Sequence, residues 1–245
     1  MIIFINLLVE RLPEIYIGTS GWYYPWNEEG TLDWYLKHSG LNAVELNASF
    51  YRFPFKNQVI SWSRKGSKIR WAVKVNQSIT HFRRLNERAL EIWWKFYDLF
   101  KPLDRYVDFY LFQLPPNYTC KESSLERISW FYRETGLNER FAIEFRHHSC
   151  FNDKVVEWGR REGLTIVSVD APISVWIVTS NDIVYLRMHG RDTWYMYEYS
   201  LEELREDAYK IKDLDPEKIY VFFNNDFWML INALQFKEII EEIYG

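Results

Sequence analysis

The feature that most constrains this chain is a repeated change of period. Eight short stretches, at residues 15–21, 42–51, 70–77, 106–116, 142–151, 164–170, 183–190 and 218–225, alternate apolar with polar or small side chains, and most lead into a stretch of helical spacing. Alternation places successive side chains on opposite faces of a strand, whereas apolar residues three and four apart form one stripe on a helix. Strands that alternate regularly with helices predict a parallel sheet covered by its helices. Eight such units predict one closed α/β barrel, a single (β/α)₈ TIM-type domain with its chemistry at the strand C-terminal ends and the loops that follow.

The stretch 142–151 shows the logic most clearly. Ala142, Glu144 and Arg146 share one face, Ile143 and Phe145 the other, and His147, His148 and Ser149 follow as a lip. A carboxylate and a guanidinium among apolar neighbours are costly to desolvate unless they pair or meet a ligand. The same parity recurs as Glu45 and Asn47 against Val44 and Leu46, as Lys74 and Asn76 against Val73 and Val75, and as Arg187 and His189 against Leu186 and Met188. Ser168 and Asp170 against Val167 and Val169 reads the same way. Ser123 and Ser200, each followed three residues later by Glu, form capping-box patterns that predict helix starts. The connection 171–181 carries Pro172 and little helical period, so the barrel is expected to lack a full helix between its sixth and seventh strands.

Length and charge bound the rest. At 245 residues the chain fits one such domain, with residues 1–14 as an N-terminal extension. The first eleven residues are apolar but lack a basic leader and a small-residue cleavage site, and are too short to span a bilayer. They are expected to pack on the domain as a strand or helix, or to reflect the choice of start codon. A net charge of −4 disfavours extended binding to nucleic-acid phosphates, and no membrane partner is expected. Cys120 and Cys150, the two cysteines, have no metal-ligand spacing and suggest no disulfide framework, which fits a reducing cytoplasm. The aromatic share of 19% is high; most rings belong in the core, while Trp22, Trp26 and Trp194 are candidates to stack on a substrate, with core or rim packing as the alternative.

Several blocks also resemble, in order, the signatures of the YecE-like family, domain of unknown function 72. They are Gly18-Thr-Ser-Gly-Trp22, Val44-Glu-Leu-Asn-Ala-Ser-Phe-Tyr51, Ala72-Val-Lys74 with Ile79-Thr-His81, Leu111-Phe-Gln-Leu-Pro-Pro116, Glu144-Phe-Arg-His147, Arg187-Met-His-Gly190 and Phe223-Asn-Asn225. The resemblance runs from about residue 15 to the C-terminus and implies a TIM-type barrel of unsettled role, akin to barrels of the xylose-isomerase and apurinic-endonuclease kind. Two departures stand out: Asp226-Phe-Trp-Met occupies the place of a glycine-containing turn, so that Trp228 is expected to fill space beside the pocket, and Cys150 replaces the usual aromatic.

Stacking the polar parity gives an inward ring of Glu45, Asn47, Lys74, Asn76, Gln113, Glu144, Arg146, Ser168, Asp170, Arg187, His189 and one of Asn224 or Asn225. Such a ring either neutralises itself or forms a site. As a site it predicts an enzyme acting on a small anionic, hydroxyl-rich substrate, phosphorylated or sugar-like. Lys74, Arg146 and Arg187 would hold anionic oxygens, Glu144 would be general base or acid, and His189 its proton-transfer partner. Asp170 and Glu45 complete the catalytic candidates; Asn47, Gln113, His147, Asn224, Asn225, Trp22 and His81 complete the binding set. No cofactor is required by this reading. A second reading places a divalent metal among Glu144, Asp170, His189 and Asp226 or Glu45, serving a hydrolase, isomerase or nuclease. A third, less favoured, is a non-enzymatic nucleic-acid binder gripping through Thr80-His-Phe-Arg-Arg84. Oligomeric state is left open.

Overall fold

The computed structural model describes residues 12–245. Eight parallel strands close on themselves: β1 (Glu14–Thr19), β2 (Ala43–Leu46), β3 (Arg70–Lys74), β4 (Val107–Gln113), β5 (Phe141–Glu144), β6 (Thr165–Ala171), β8 (Ile183–Met188) and β9 (Lys218–Phe223). β9 returns to pair with β1 and seals the cylinder. A ninth strand, β7 (Ser174–Trp176), runs antiparallel on β6, standing where the sixth strand's helix would be. The missing helix predicted for that connection is therefore a hairpin. The expected structure of residues 1–11 lies outside the described residues. No helix among the described residues is long and apolar enough to cross a membrane.

Two apolar layers follow from the strand parity. Inside the cylinder small and large residues interlock, Ala43, Ala72 and Ala142 beside Phe109, Tyr185 and Phe222. Outside, Val44, Val73, Phe112 and Ile143 pack against α1 (Leu32–His38), α3 (Lys56–Lys65), α4 (Glu87–Phe100), α5 (Glu122–Thr135), α6 (Asp153–Glu162), α7 (Leu201–Asp213) and α8 (Met229–Tyr244), with a four-residue α2 (Ala48–Tyr51) after β2. Gly18 lets β1 approach β2, since a Cβ there would lie 2.3 Å from the Ala43 carbonyl oxygen.

Three local expectations are corrected. The second strand stops at Leu46 instead of running on to Tyr51, because the chain turns into α2, where Ser49 Oγ donates to the carbonyls of Leu46 and Lys74. The capping box at Ser200 forms, but the one at Ser123 does not: the N-cap of α5 is Lys121, two residues earlier. Cys120 and Cys150, expected as free thiols, are joined in a disulfide that ties the loop after β4 to the turn after β5. Their neighbourhood is set by the barrel, which brings consecutive strand ends together, and no spacing rule signals it.

A cross-link over a separation of 30 residues restricts the unfolded chain. Reduction, or Cys120→Ala with Cys150→Ala, is expected to lower unfolding stability by about 2–4 kcal/mol. Denaturant titration with and without reductant reads this directly; coincident curves would contradict it.

Candidate active site

At the C-terminal end of the cylinder, Arg187 of β8 is fully buried and extends across the interior. Its Nε and Nη2 donate to the two oxygens of Glu45 on β2, at 2.9 and 2.6 Å, and its Nη1 lies 2.5 Å from Glu144 Oε2 on β5. Ser20 Oγ and Tyr185 Oη each donate to Glu45 at 2.7 Å, so both its oxygens are occupied. Glu45, a catalytic candidate from the sequence, thus anchors Arg187 with both its oxygens occupied. Ser20 and Tyr185 were not among the sequence-predicted site residues. Tyr185 shares the parity of Arg187, and that was the available signal.

The fifth strand behaves as its alternation predicts. Arg146, just past β5, turns back so that Nε lies 2.5 Å from Glu144 Oε1, off the line of an aligned hydrogen bond. Its Nη2 is 3.0 Å from His189 Nε2, and its guanidinium lies 4.4 Å from the centre of the Trp194 ring. A guanidinium only donates, so His189 Nε2 accepts and the ring proton sits on Nδ1; the Asn224 side-chain amide, 3.1 Å away, can take that proton's hydrogen bond only with its oxygen, not its nitrogen, turned to the ring. Trp194 reaches this position because Gly190, at φ +99°, turns the following loop over the mouth; a Cβ there would meet Thr193 and Tyr197.

Electrostatics reassign the acid–base roles. Burial favours protonated Glu144, but Arg146 and Arg187 together outweigh it and hold the carboxyl well below its usual range. His189 is pushed well below the ordinary imidazole range by burial and by the same two arginines. Neither group titrates near neutrality, contrary to the expectation of an acid–base pair. Lys74 does: burial, then Arg187, lowers its amine to about 7, against the attraction of Glu144 and Glu45. Its Nζ lies 4.4 Å from the centre of the Phe50 ring, and among the described residues it makes no hydrogen bond or ion pair. Phe50 was missed because its segment reads as strand, and only the short α2 brings it beside Lys74.

The remaining candidates divide. Asn47 lies just past β2, at the N-cap of α2, with a buried Oδ1 that has no hydrogen-bond partner among the described residues, and Gln113 lies two residues beyond inward Leu111. His81 sits edge-on to Phe50, ring centres 5.0 Å apart, with its pKa lowered to about 4 by burial and then Lys74. His147 remains at the lip, bonded to Ser149 and tilted against the ring of His148. Asn76 is used up holding the carbonyls of Ser49 and Phe50. Asn225 turns away to Tyr197 and Asn232, so Asn224 is the asparagine of the site. Trp22 packs edge-on against Trp62 and Trp71 in the outer layer, and Trp26 stacks on Tyr24 and donates to the Asp226 carbonyl. Trp228 rests on Phe227 at the rim.

The sixth strand is the main correction. Val167 pairs in register with inward Tyr185, so Ser168 and Asp170 face outward. The cause is the absent helix: the irregular connection over β6 exposes backbone polar groups, and Ser168 Oγ satisfies both the N–H and the carbonyl of Val178. Asp170 accepts from Tyr199 and Arg191 and lies outside the barrel interior. With Asp170 removed, two carboxylates face three cations. No three of His, Cys, Asp and Glu converge as metal ligands among the described residues, and Arg187 occupies both inward carboxylates, so this donor set does not fit the divalent metal of the second reading.

The profile of a family described as "Protein of unknown function DUF72" matches residues 16–242. Among solved structures, a DUF72 family protein from Thermotoga maritima MSB8 is 28% identical with a TM-score of 0.78, covering 93% of this chain and 99% of its own. One from Enterococcus faecalis V583 is 22% identical with a TM-score of 0.76, over 94% and 99% of the two chains. A D-psicose 3-epimerase from Clostridium cellulolyticum H10, solved with D-tagatose, shares the fold at 11% identity and a TM-score of 0.63, over 94% and 99% of the chains. No curated protein matches the chain.

The lowered amine carries a stability consequence. A base whose folded pKa lies below its unfolded value costs stability at every pH below the folded pKa, here about 7, and the cost fades as pH rises toward the ordinary lysine value of 10.5. Lys74→Met is therefore expected to raise unfolding stability by up to a few kcal/mol at pH 6 and by less at pH 9. Urea titration at the two pH values measures it. A loss of stability at pH 6 would contradict the assignment.

Proposed function

Because the chain belongs to the DUF72 family, whose description names no reaction, we propose a function from the barrel mouth itself: an enzyme that binds a small anionic, hydroxyl-rich substrate, phosphorylated or sugar-like, and acts on it by acid–base chemistry. The observation that carries this reading is the surplus cation. Glu45 and Glu144 are both committed to arginines, while Lys74 forms no ion pair of its own among the described residues. A buried cation without a counter-ion is costly, and a bound anion supplies the missing charge.

Each neighbour has a role in that arrangement. Arg146, held by Glu144 and covered by Trp194, offers guanidinium N–H groups to an anion. Asn47 Oδ1 accepts from a substrate hydroxyl. The rings of Trp194 and Phe50 give flat apolar faces for a sugar. Lys74, near half-protonated at neutral pH, is the group that takes up and returns a proton, while Glu144 and neutral His189 fix the guanidinium in place.

Anion binding by this site draws a proton onto Lys74. Sulfate, which keeps its charge throughout, is expected to protect the protein thermally at pH 6, with affinity falling by up to tenfold per pH unit above about 7. Lys74→Met removes the pH dependence and most of the affinity, Arg146→Ala abolishes the protection, and a chelator changes nothing. A sugar phosphate binds more tightly than sulfate. Protection that appears only with added magnesium or manganese would favour the metal-dependent alternative, and steeply salt-dependent binding to single strands would favour the nucleic-acid alternative.

A further inference from the structure

The lysine at the mouth suits more than charge complementarity. We propose that Lys74 is a covalent catalyst, forming a Schiff base with the carbonyl carbon of an open-chain sugar phosphate. This rests on the anion-binding reading above and adds a reaction to it.

The geometry points to a nucleophile. Ala72, two residues before Lys74, pairs with Glu45, so the lysine stands nearer the C-terminal mouth than the Glu45–Arg187 bridge. The residue is 7% exposed, which leaves the amine largely desolvated yet within reach of a ligand and of solvent at the mouth. Among the described residues no hydrogen bond or ion pair ties Nζ down, and it lies over the face of Phe50. Arg187 and Arg146 repel its protonated form, the arrangement by which a neighbouring cation activates a lysine amine. In the free protein a substantial fraction is then neutral amine near neutrality, against a very small fraction for an ordinary surface lysine. Because a bound phosphate favours the protonated form, it is the carbonyl end of the substrate that must reach the amine before the phosphate does so.

The step balances within the site. The Nζ lone pair attacks the carbonyl carbon, and the N–C bond forms as the carbonyl π pair moves to oxygen. The nitrogen of this adduct, now an ammonium, passes one of its protons to that oxygen, which gives a neutral carbinolamine. Loss of its hydroxyl, protonated by solvent at the open mouth, releases one water and leaves an iminium ion. The iminium keeps the positive charge that Lys74 otherwise contributes, so the phosphate held by Arg146 retains its counter-ion. Electron withdrawal by the iminium acidifies the neighbouring C–H, which suits an isomerisation or epimerisation with no change of oxidation state.

Reductive trapping tests this. The full chain is incubated with dihydroxyacetone phosphate and cyanoborohydride, then digested and its modified peptides identified by mass spectrometry. One adduct per chain on Lys74 is expected, formed at a rate that rises through pH 7 and levels off well below pH 10. Excess sulfate slows it, and Lys74→Arg, which keeps the cation, abolishes it. Labelling spread over surface lysines, with Lys74 no faster than the others, would overturn the proposal. Sulfate protection without any Lys74 adduct would overturn the covalent step alone, whereas absence of sulfate protection would remove the anion-binding reading beneath it.

Discussion

Arg187 spans the barrel from β8 to β2 and β5, and the site depends on that bridge. A fully buried guanidinium is tolerated because two carboxylates meet it with aligned oxygens, Glu45 through two hydrogen bonds and Glu144 through one. The bridge fixes where the carboxylates point and commits their charge. What remains at the mouth is cationic, and the residues around it, Lys74, Arg146, Asn224 and Trp194, take their roles from that remainder.

This order of dependence explains why the obvious catalytic candidates are supports. Glu144 and His189 have the residue types of an acid–base pair, and they sit 3.3 Å apart. Two arginines beside them stabilise the carboxylate and destabilise the imidazolium, which moves both transitions away from neutrality in the same direction. Burial chiefly brings the Lys74 transition toward neutrality, with Arg187 adding to it against the attraction of Glu144 and Glu45. One buried cluster thus silences two groups and activates a third.

Much of this was legible in the chain. The alternation in strands two, three, five and the one carrying Arg187 is enforced by an apolar outer layer of helices, so polar parity there reports the inside. Ser168 and Asp170 show where the rule fails: without a covering helix, the outer face of β6 must satisfy an irregular backbone, and polarity then marks the outside. The disulfide and the Lys74–Phe50 contact were illegible for a related reason, since both arise between consecutive strand ends that only ring closure and the short α2 bring together. Residue type located the ring. The distribution of charge within it required coordinates.

The central claim is that the bridge leaves Lys74 as a buried amine titrating near neutrality. Selective ¹³C and ¹⁵N labelling of lysine, with an NMR titration of the Lys74 side chain assigned by comparison with Lys74→Arg, measures this without reference to any substrate. The account predicts a midpoint near 7, far below the surface lysines of the same sample. A Lys74 midpoint at or above 10 would contradict it.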